Sequence, residues 1–129
     1  MVIDTSALVA ILSDEPERRA FNEAITADPV RLVSAGTLIE AGIVLEARYG
    51  EIAGRELDLF LHRAGCEIVP VDAEQAELAR RAARRYGKGR HPAGLNYGDL
   101  FAYALAKATE EKLLFKGQDF TQTDIAAAV

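Results

Sequence analysis

The sequence predicts an α/β fold with a mainly parallel sheet, because short apolar stretches alternate with longer segments of helical periodicity. Four stretches suit buried strands: residues 2–3, 30–34, 67–71 and 112–117. Their apolar residues follow one another without polar alternation, which is typical of strands covered by helices on both faces. A chain of 129 residues can build one sizeable core. We therefore expect a single domain over residues 1–129.

Four helices are predicted in the first half of the chain. The first begins at about Ser6, with Thr5 and Ser6 as candidate N-caps. The second opens at Pro16, which suits a first helical position. Ser34 can cap the long third helix, and Gly50 can end it. Apolar residues at helical spacing then predict a fourth helix that pairs with the third.

The second half contains two predicted helices separated by a loop. Asp72 can cap the first of them, which continues to the glycine that opens the loop. The loop, residues 87–98, is rich in glycine and includes one proline. The second helix spans residues 99–109. Residues 119–129 are too few to assign.

Basic residues are concentrated in one segment. The formal net charge is −5, yet six of the 15 Lys and Arg residues lie between residues 80 and 90, with His91 next and no acid among them. Such a segment can attract a polyanion, or it can be an ordinary solvated helix face, and the sequence leaves both interpretations open. The six residues are Arg80, Arg81, Arg84, Arg85, Lys88 and Arg90.

The composition suits a soluble protein of a reducing compartment. Cys66 is the single cysteine, which excludes an internal disulfide. We expect Cys66 to be a small residue of the core. The start of the chain lacks the basic residues of a secretory signal. No apolar run approaches the roughly 20 residues of a membrane span. We therefore expect a cytoplasmic protein that is not attached to a membrane.

Four acidic residues are placed to meet at one edge of the predicted sheet. Asp4 follows the first strand, and Asp119 follows the last. Asp99 begins a helix after the loop, and Glu40 lies one turn into the helix after the second strand. In open parallel sheets the functional crevice lies beyond the carboxyl ends of the strands. Each acid also has an ordinary alternative, as a helix cap, a turn residue or an exposed helix residue.

The chemistry of these acids points to a bound metal. Converging carboxylates repel one another unless a cation balances them. Oxygen ligands without His or Cys favour Mg²⁺ or Mn²⁺, ions that assist phosphodiester cleavage. Other catalytic arrangements have little support, because His62 and His91 adjoin no recognisable nucleophile and the stretch YGKGRH lacks the spacing of a nucleotide-binding loop.

Four motifs together resemble the VapC-type toxins of the PIN-domain ribonuclease superfamily. They are VIDTSALVAIL, the helix that carries Glu40, LNYGDLFAYALAKA around Asp99, and LLFKGQDF, which contains Asp119. The resemblance covers nearly the whole chain in the expected order. It implies a three-layer α/β/α sandwich with a sheet of four to five strands. It also implies an acidic pocket that binds Mg²⁺ or Mn²⁺ and cleaves RNA.

The resemblance assigns a role to each acid. Asp4 and Asp99 match the principal metal ligands. Glu40 matches a third acid that binds metal or orients its water, and Asp119 matches a more peripheral fourth position. Three neighbours, which flank the pocket in similar proteins, are expected to hydrogen-bond the carboxylates or the substrate unless they serve only as caps or turn residues. They are Thr5, Ser6 and Asn96.

Partners are implied in the same way. Proteins of this type form homodimers, and an antitoxin, VapB, wraps the toxin with its C-terminal segment and blocks the acidic site. The apolar helix over residues 36–49 is a candidate contact surface, although core burial alone explains its apolar residues.

The RNA backbone is expected to lie against four residues of the basic segment. These are Arg84, Arg85, Lys88 and Arg90.

Two other classes of function stay open from the residues alone. A Mg²⁺-dependent phosphohydrolase or phospho-acceptor domain also places acids at strand ends, and Lys116, near Asp119, could be the lysine that it needs. A non-catalytic module could use the acids to receive a basic partner segment. The presence of all four acids favours the nuclease over both.

Overall fold

Four short parallel strands alternate with six helices in the computed structural model, which describes residues 1–129. The strands are β1 (Val2–Ile3), β2 (Leu32–Ser34), β3 (Glu67–Val69) and β4 (Leu113–Leu114). The helices are α1 (Thr5–Leu12), α2 (Arg18–Ala27), α3 (Ala35–Tyr49), α4 (Glu51–Arg63), α5 (Ala73–Tyr86) and α6 (Tyr97–Thr109). The sheet order is β3-β2-β1-β4, and every pairing is parallel. The predicted fold class is confirmed.

The sheet separates two apolar clusters. Ile3, Val33 and Leu114 pack with residues of α1 to α4 on one face. Val2 and Leu113 pack with residues of α5 and α6 on the other face. Successive residues of β1 and of β4 thus enter opposite clusters, as the two-residue period of a strand requires. The result is the three-layer α/β/α sandwich predicted from the sequence.

Two strands end earlier than their apolar stretches predict, for different reasons. β3 ends at Val69 because Pro70 has no N–H to donate to a neighbouring strand. β4 ends at Leu114, and the next hydrogen-bonding N–H, that of Lys116, donates to the hydroxyl of Ser6 at 2.9 Å. The second departure connects the end of β4 to the residues that follow β1.

The helices of the first half follow their sequence signals closely. Ser34 caps α3 by accepting a hydrogen bond from the N–H of Gly36 at 3.2 Å. Gly50 joins α3 to α4 with a φ of +84°, a conformation that glycine adopts without strain. The helix predicted to open at Pro16 begins instead at Arg18, because Pro16 lies in the preceding turn. None of the six helices has the length and hydropathy of a membrane-spanning segment.

The segment after β4 is anchored by its side chains. Phe120 is buried, and its ring lies 5.2 Å from that of Phe115. Asp124 accepts a hydrogen bond from the hydroxyl of Tyr103 at 2.7 Å and pairs with Lys107 at 2.9 Å. These contacts hold the turn that precedes Phe120 against the rest of the fold.

Candidate active site

The four acids predicted from the sequence line one cleft beyond the carboxyl ends of β1 and β4. The cleft has a volume of about 480 Å³. Asp4 comes directly after β1, and Asp119 lies in the turn after β4, the strand that pairs with β1. Helix α3 contributes Glu40, and the first turn of α6 contributes Asp99. Residues 115 positions apart in the chain are thereby brought to one place.

Asp4 is buried without a positively charged partner. It is 3% exposed, and its Oδ2 accepts hydrogen bonds from the backbone N–H of Ser6 at 3.0 Å and from the Ser6 hydroxyl at 2.7 Å. Its Oδ1 is buried and has no hydrogen-bond partner. Burial is the main cause that raises the pKa of Asp4 from 3.8 to about 6, and the nearby Glu40 carboxylate adds to it. A buried, unpaired carboxylate oxygen is available to a cation.

Ser6 fixes the orientation of the Asp4 carboxylate. The Ser6 hydroxyl accepts a hydrogen bond from the N–H of Lys116 and donates its own proton to Asp4 Oδ2. Asp4 itself is the N-cap of α1, as the alternative interpretation of this acid allowed, whereas the prediction that Thr5 or Ser6 would cap the helix is wrong. The Asp4 carboxylate accepts the hydrogen bond from the N–H of Ser6, two residues ahead, which is the usual geometry of an N-cap.

Asp99 and Asn96 form a reciprocal cap at the start of α6. The side chain of Asn96 accepts from the N–H of Asp99, and Asp99 Oδ2 accepts from the N–H of Asn96, both at 3.0 Å. Because of this capping box, α6 begins at Tyr97, two residues earlier than predicted. Burial is the main cause that raises the pKa of Asp99 to about 7, and the carboxylates of Asp4 and Asp119 raise it further.

Glu40 and Asp119 complete the set from less buried positions. The hydroxyl of Thr5 donates to Glu40 Oε1 at 2.5 Å, which holds this carboxylate beside the residue that follows Asp4. Asp119 is exposed, but the anchored Phe120 next to it restricts the turn. Hydrogen bonds therefore position the carboxylates of Asp4, Glu40 and Asp99, whereas Asp119 is placed at the cleft by the turn that carries it.

A comparison with models of protein families identifies the family to which this fold belongs. A model of the PIN domain matches residues 1–126. The chain belongs to the PIN-domain family. Its resemblance to that family in the four motifs is thereby confirmed.

Curated relatives of this PIN domain are named as ribonucleases of the VapC group. The chain is 61% identical over 126 residues to ribonuclease VapC30 of Mycobacterium tuberculosis (strain ATCC 25618 / H37Rv), and the match covers 98% of this chain and 96% of that protein. It is likewise 61% identical to ribonuclease VapC of Mycolicibacterium smegmatis, with 98% of each chain covered.

A solved structure has the same fold as this PIN domain. The crystal structure of Mycobacterium tuberculosis VapC20, described as a sarcin-ricin loop cleaving toxin, matches with a TM-score of 0.79. The match covers 97% of this chain and 95% of that one, at 17% sequence identity. At that identity the likeness shows the fold alone.

The cleft of the PIN domain offers donors suited to a hard divalent cation. All four acids supply carboxylate oxygens, and the unpaired Oδ1 of Asp4 is among them. No three His, Cys, Asp or Glu side chains lie close enough together to form a complete metal site. Mg²⁺ does not need three such side chains, because proteins usually bind it through one or two carboxylates while water and substrate fill the other positions.

Two charged residues that the sequence did not single out also line the cleft of the PIN domain. They are Glu15, on the turn after α1, and Arg48, on α3. The ammonium of Lys116, also at the cleft, pairs with Glu15 at 2.8 Å and with Glu17 at 3.1 Å. Arg48 could have been found from its spacing, because it follows Glu40 by eight residues and so lies near the same helix face.

The helical part of the basic segment lies outside the cleft. Three arginines of α5 approach the single carboxylate of Glu77 at 3.5 to 3.9 Å: Arg80, Arg81 and Arg84. The guanidinium of Arg85 lies over the ring of Tyr86 at 5.0 Å. Helix α5 thus has four arginines against Glu74 and Glu77, and its C-terminal half is positively charged.

The loop part of the basic segment leads directly to the cleft. Lys88 and Arg90 are exposed in the turn that follows α5. The N–H of Lys88 donates to the carbonyl of Leu95 at 3.0 Å, and Leu95 immediately precedes the cleft residue Asn96. None of the four predicted RNA contacts lines the cleft. Two of them, Lys88 and Arg90, lie on the loop that ends at the cleft.

Proposed function

We propose that this chain is the toxin of a type II toxin–antitoxin pair and cleaves RNA as a metal-dependent endoribonuclease, acting as a single PIN domain in the cytoplasm. The observation that carries the proposal is the convergence of four carboxylates on one cleft, with an oxygen of Asp4 buried and unpaired. The relatives named VapC ribonucleases support the same activity. Cleavage of cellular RNA would inhibit translation.

PIN-domain ribonucleases are in general metal-dependent, and we propose Mg²⁺ for this chain, with Mn²⁺ able to replace it. The proposed principal ligands are Asp4 and Asp99, with Glu40 binding the metal directly or through water and Asp119 in a more peripheral position. When bound, such an ion lowers the pKa of a coordinated water and stabilises negative charge on the phosphate. Glu40, held by the Thr5 hydroxyl, would orient or deprotonate the attacking water. Ser6 and Asn96 would keep the two aspartates in place.

The proposal predicts cleavage of RNA that depends on a divalent metal. Purified protein should cleave RNA with Mg²⁺ or Mn²⁺ and show no cleavage with excess EDTA, because the carboxylates alone cannot supply the Lewis acid. Mapping of RNA ends after brief expression without the antitoxin would test the activity and identify the target together.

Other outcomes of that experiment would favour the rival functions. Equal cleavage in EDTA would contradict the metal-dependent mechanism. Intact binding to a basic partner with no cleavage in any metal would favour a non-catalytic module. A hydroxylamine-sensitive acyl-phosphate would favour a phospho-acceptor domain, although Lys116, its candidate lysine, is engaged by Glu15 and Glu17.

We also propose that the basic segment holds the RNA backbone beside the cleft, and reversal of two of its charges should weaken binding. Changing both Arg84 and Arg85 to Glu should flatten the slope of log K against log salt by about 1.4, if each contacts one phosphate of single-stranded RNA. The measurement is RNA binding across a salt series. Reversal of Arg18 and Arg19, which are exposed on α2, is the control with the same change in net charge. Equal effects of the two double variants would leave the basic segment as a solvated helix face.

The proposed partners are a VapB-type antitoxin and a second copy of the chain. Helices α3 and α4 expose apolar side chains, among them Ile39 and Ile43, each 64% exposed, and Ile52, 63% exposed. Glu40 follows Ile39 directly, so an antitoxin segment bound here would reach the cleft with little extra length. A basic side chain of that segment would find carboxylates to pair with.

A further inference from the structure

Helices α3 and α6 meet at two glycines, each of which contacts a side chain of the other helix. A Cβ atom on Gly36 of α3 would overlap the ring of Phe101 on α6. A Cβ atom on Gly98 of α6 would overlap the carboxylate of Glu40 on α3. The contact is reciprocal, and on each helix the glycine and the contacting side chain lie about one turn apart. Because neither glycine has a side chain, the ring of Phe101 can pack against α3 and the carboxylate of Glu40 can pack against α6.

The contact at Gly98 lies beside the acidic cleft, because Glu40 lines both that cleft and the neighbouring cavity to which Gly98 belongs. Gly98 is buried and occupies the first turn of α6, directly before Asp99. Both carboxylate oxygens of Glu40 lie too close to the position of a Cβ atom on Gly98 for such an atom to fit. Oε1 also accepts the hydrogen bond from Thr5. The carboxylate is thus confined between the hydroxyl that follows Asp4 and the backbone that precedes Asp99.

We propose that Gly98 is a positioning residue, whose lack of a side chain lets the Glu40 carboxylate lie between Thr5 and the first turn of α6, where it lines the acidic cleft. The proposal rests on the proposed function, since it names what holds one acid of that site in place. A residue with any side chain at this position displaces Glu40 and breaks its hydrogen bond to Thr5. Glu40 then no longer faces the metal ligands and the water as the reaction requires.

The chemistry of the contact separates this role from a role in folding. The atoms that a Cβ would meet belong to the end of a flexible side chain, so Glu40 can move while the backbone stays in place. Alanine is also a better helix former than glycine. A Gly98→Ala variant should therefore melt at the same temperature as the wild type or higher. A purely structural glycine would show the opposite.

The experiment compares Gly98→Ala with Gly42→Ala, a second helical glycine, whose Cβ would meet nothing within 4 Å. Three quantities are measured: melting temperature without metal, Mn²⁺ affinity by titration calorimetry, and kcat and KM for RNA cleavage. Gly98→Ala should lower kcat by roughly tenfold and weaken Mn²⁺ binding several-fold, with KM little changed, as expected when a group that orients a metal site is displaced. Gly42→Ala should leave all of the activity and affinity values unchanged.

A second substitution tests whether the effect passes through Glu40. Aspartate is one methylene shorter, so Glu40→Asp combined with Gly98→Ala should lose less Mn²⁺ affinity and kcat than the sum of the two single losses. Wild-type affinity and kcat in Gly98→Ala, or strict additivity in the double variant, would overturn the proposal. A wild type that binds Mn²⁺ but cleaves no RNA would refute the proposed function, and the affinity measurements would still decide the role of Gly98.

Discussion

Replacing Asp4 with Asn is expected to lower RNA cleavage by at least about a hundredfold, since loss of even an outer partner of a metal site can cost that much. The same substitution should make the metal-free protein more stable at pH 8. Asp4 carries a buried charge with one unpaired oxygen and no cation beside it, and a neutral amide of the same shape is easier to bury. Activity and stability should thus change in opposite directions, as is common at functional sites.

The control for this substitution is Asp72→Asn. Asp72 is also an N-cap, and its Oδ1 accepts a hydrogen bond from the N–H of Gln75 at 2.9 Å, but it lies at the start of α5 and does not line the cleft. Both cleavage and melting temperature should stay close to wild type in this variant. An Asp4→Asn protein that cleaves RNA as fast as the wild type would remove Asp4 from the mechanism.

Lowering the pH from 8 to 5 is expected to stabilise the protein when no metal is present. In the folded state the pKa of Asp4 is about 6 and that of Asp99 about 7, against 3.8 in an exposed carboxyl. Within this window the folded state binds more protons than the unfolded state, so the free energy of unfolding rises as the pH falls. Asp4 alone should contribute on the order of 1 kcal/mol between pH 8 and pH 5.

Urea unfolding in EDTA at several pH values would measure this gain. The Asp4→Asn variant should show a weaker dependence, and Asn at both Asp4 and Asp99 should nearly remove it. Added Mn²⁺ should oppose the trend, because protons and metal compete for the same oxygens. The range is kept above pH 5 because Asp28, whose pKa is lowered mainly by a hydrogen bond from the N–H of Val30, loses its contribution in more acidic solution. Lower stability at pH 5 than at pH 8 would contradict the prediction.

The acidic cleft could be predicted because its position depends on chain order and on the sheet. Asp4 and Asp119 follow neighbouring parallel strands, so the topology alone places them at one edge. Glu40 and Asp99 were selected from their positions near the starts of two predicted helices, and the family resemblance then assigned each a role. The helix pair α3 and α4 was predicted equally well, since strong apolar periodicity and a glycine between two helices are local signals.

Contacts that depend on competition between hydrogen-bond partners were harder to predict. The sequence allowed Thr5, Ser6 or Asp4 to cap α1, and only the folded geometry selects Asp4. The early start of α6 depends in the same way on the reciprocal bonds of Asn96 and Asp99. The role of Gly98 depends on the distance between two packed helices, which no local pattern encodes.

The central position of β1 in the sheet affects the time at which a newly made chain can become active. β1 is synthesised first but pairs with β4, and the hydrogen bond from Lys116 to Ser6 joins residues 110 positions apart. A ribosome must therefore complete almost the entire chain before the cleft has its full set of acids. For most of its synthesis the nascent protein therefore lacks a complete cleft, and RNA cleavage can begin only when the last strand enters the sheet.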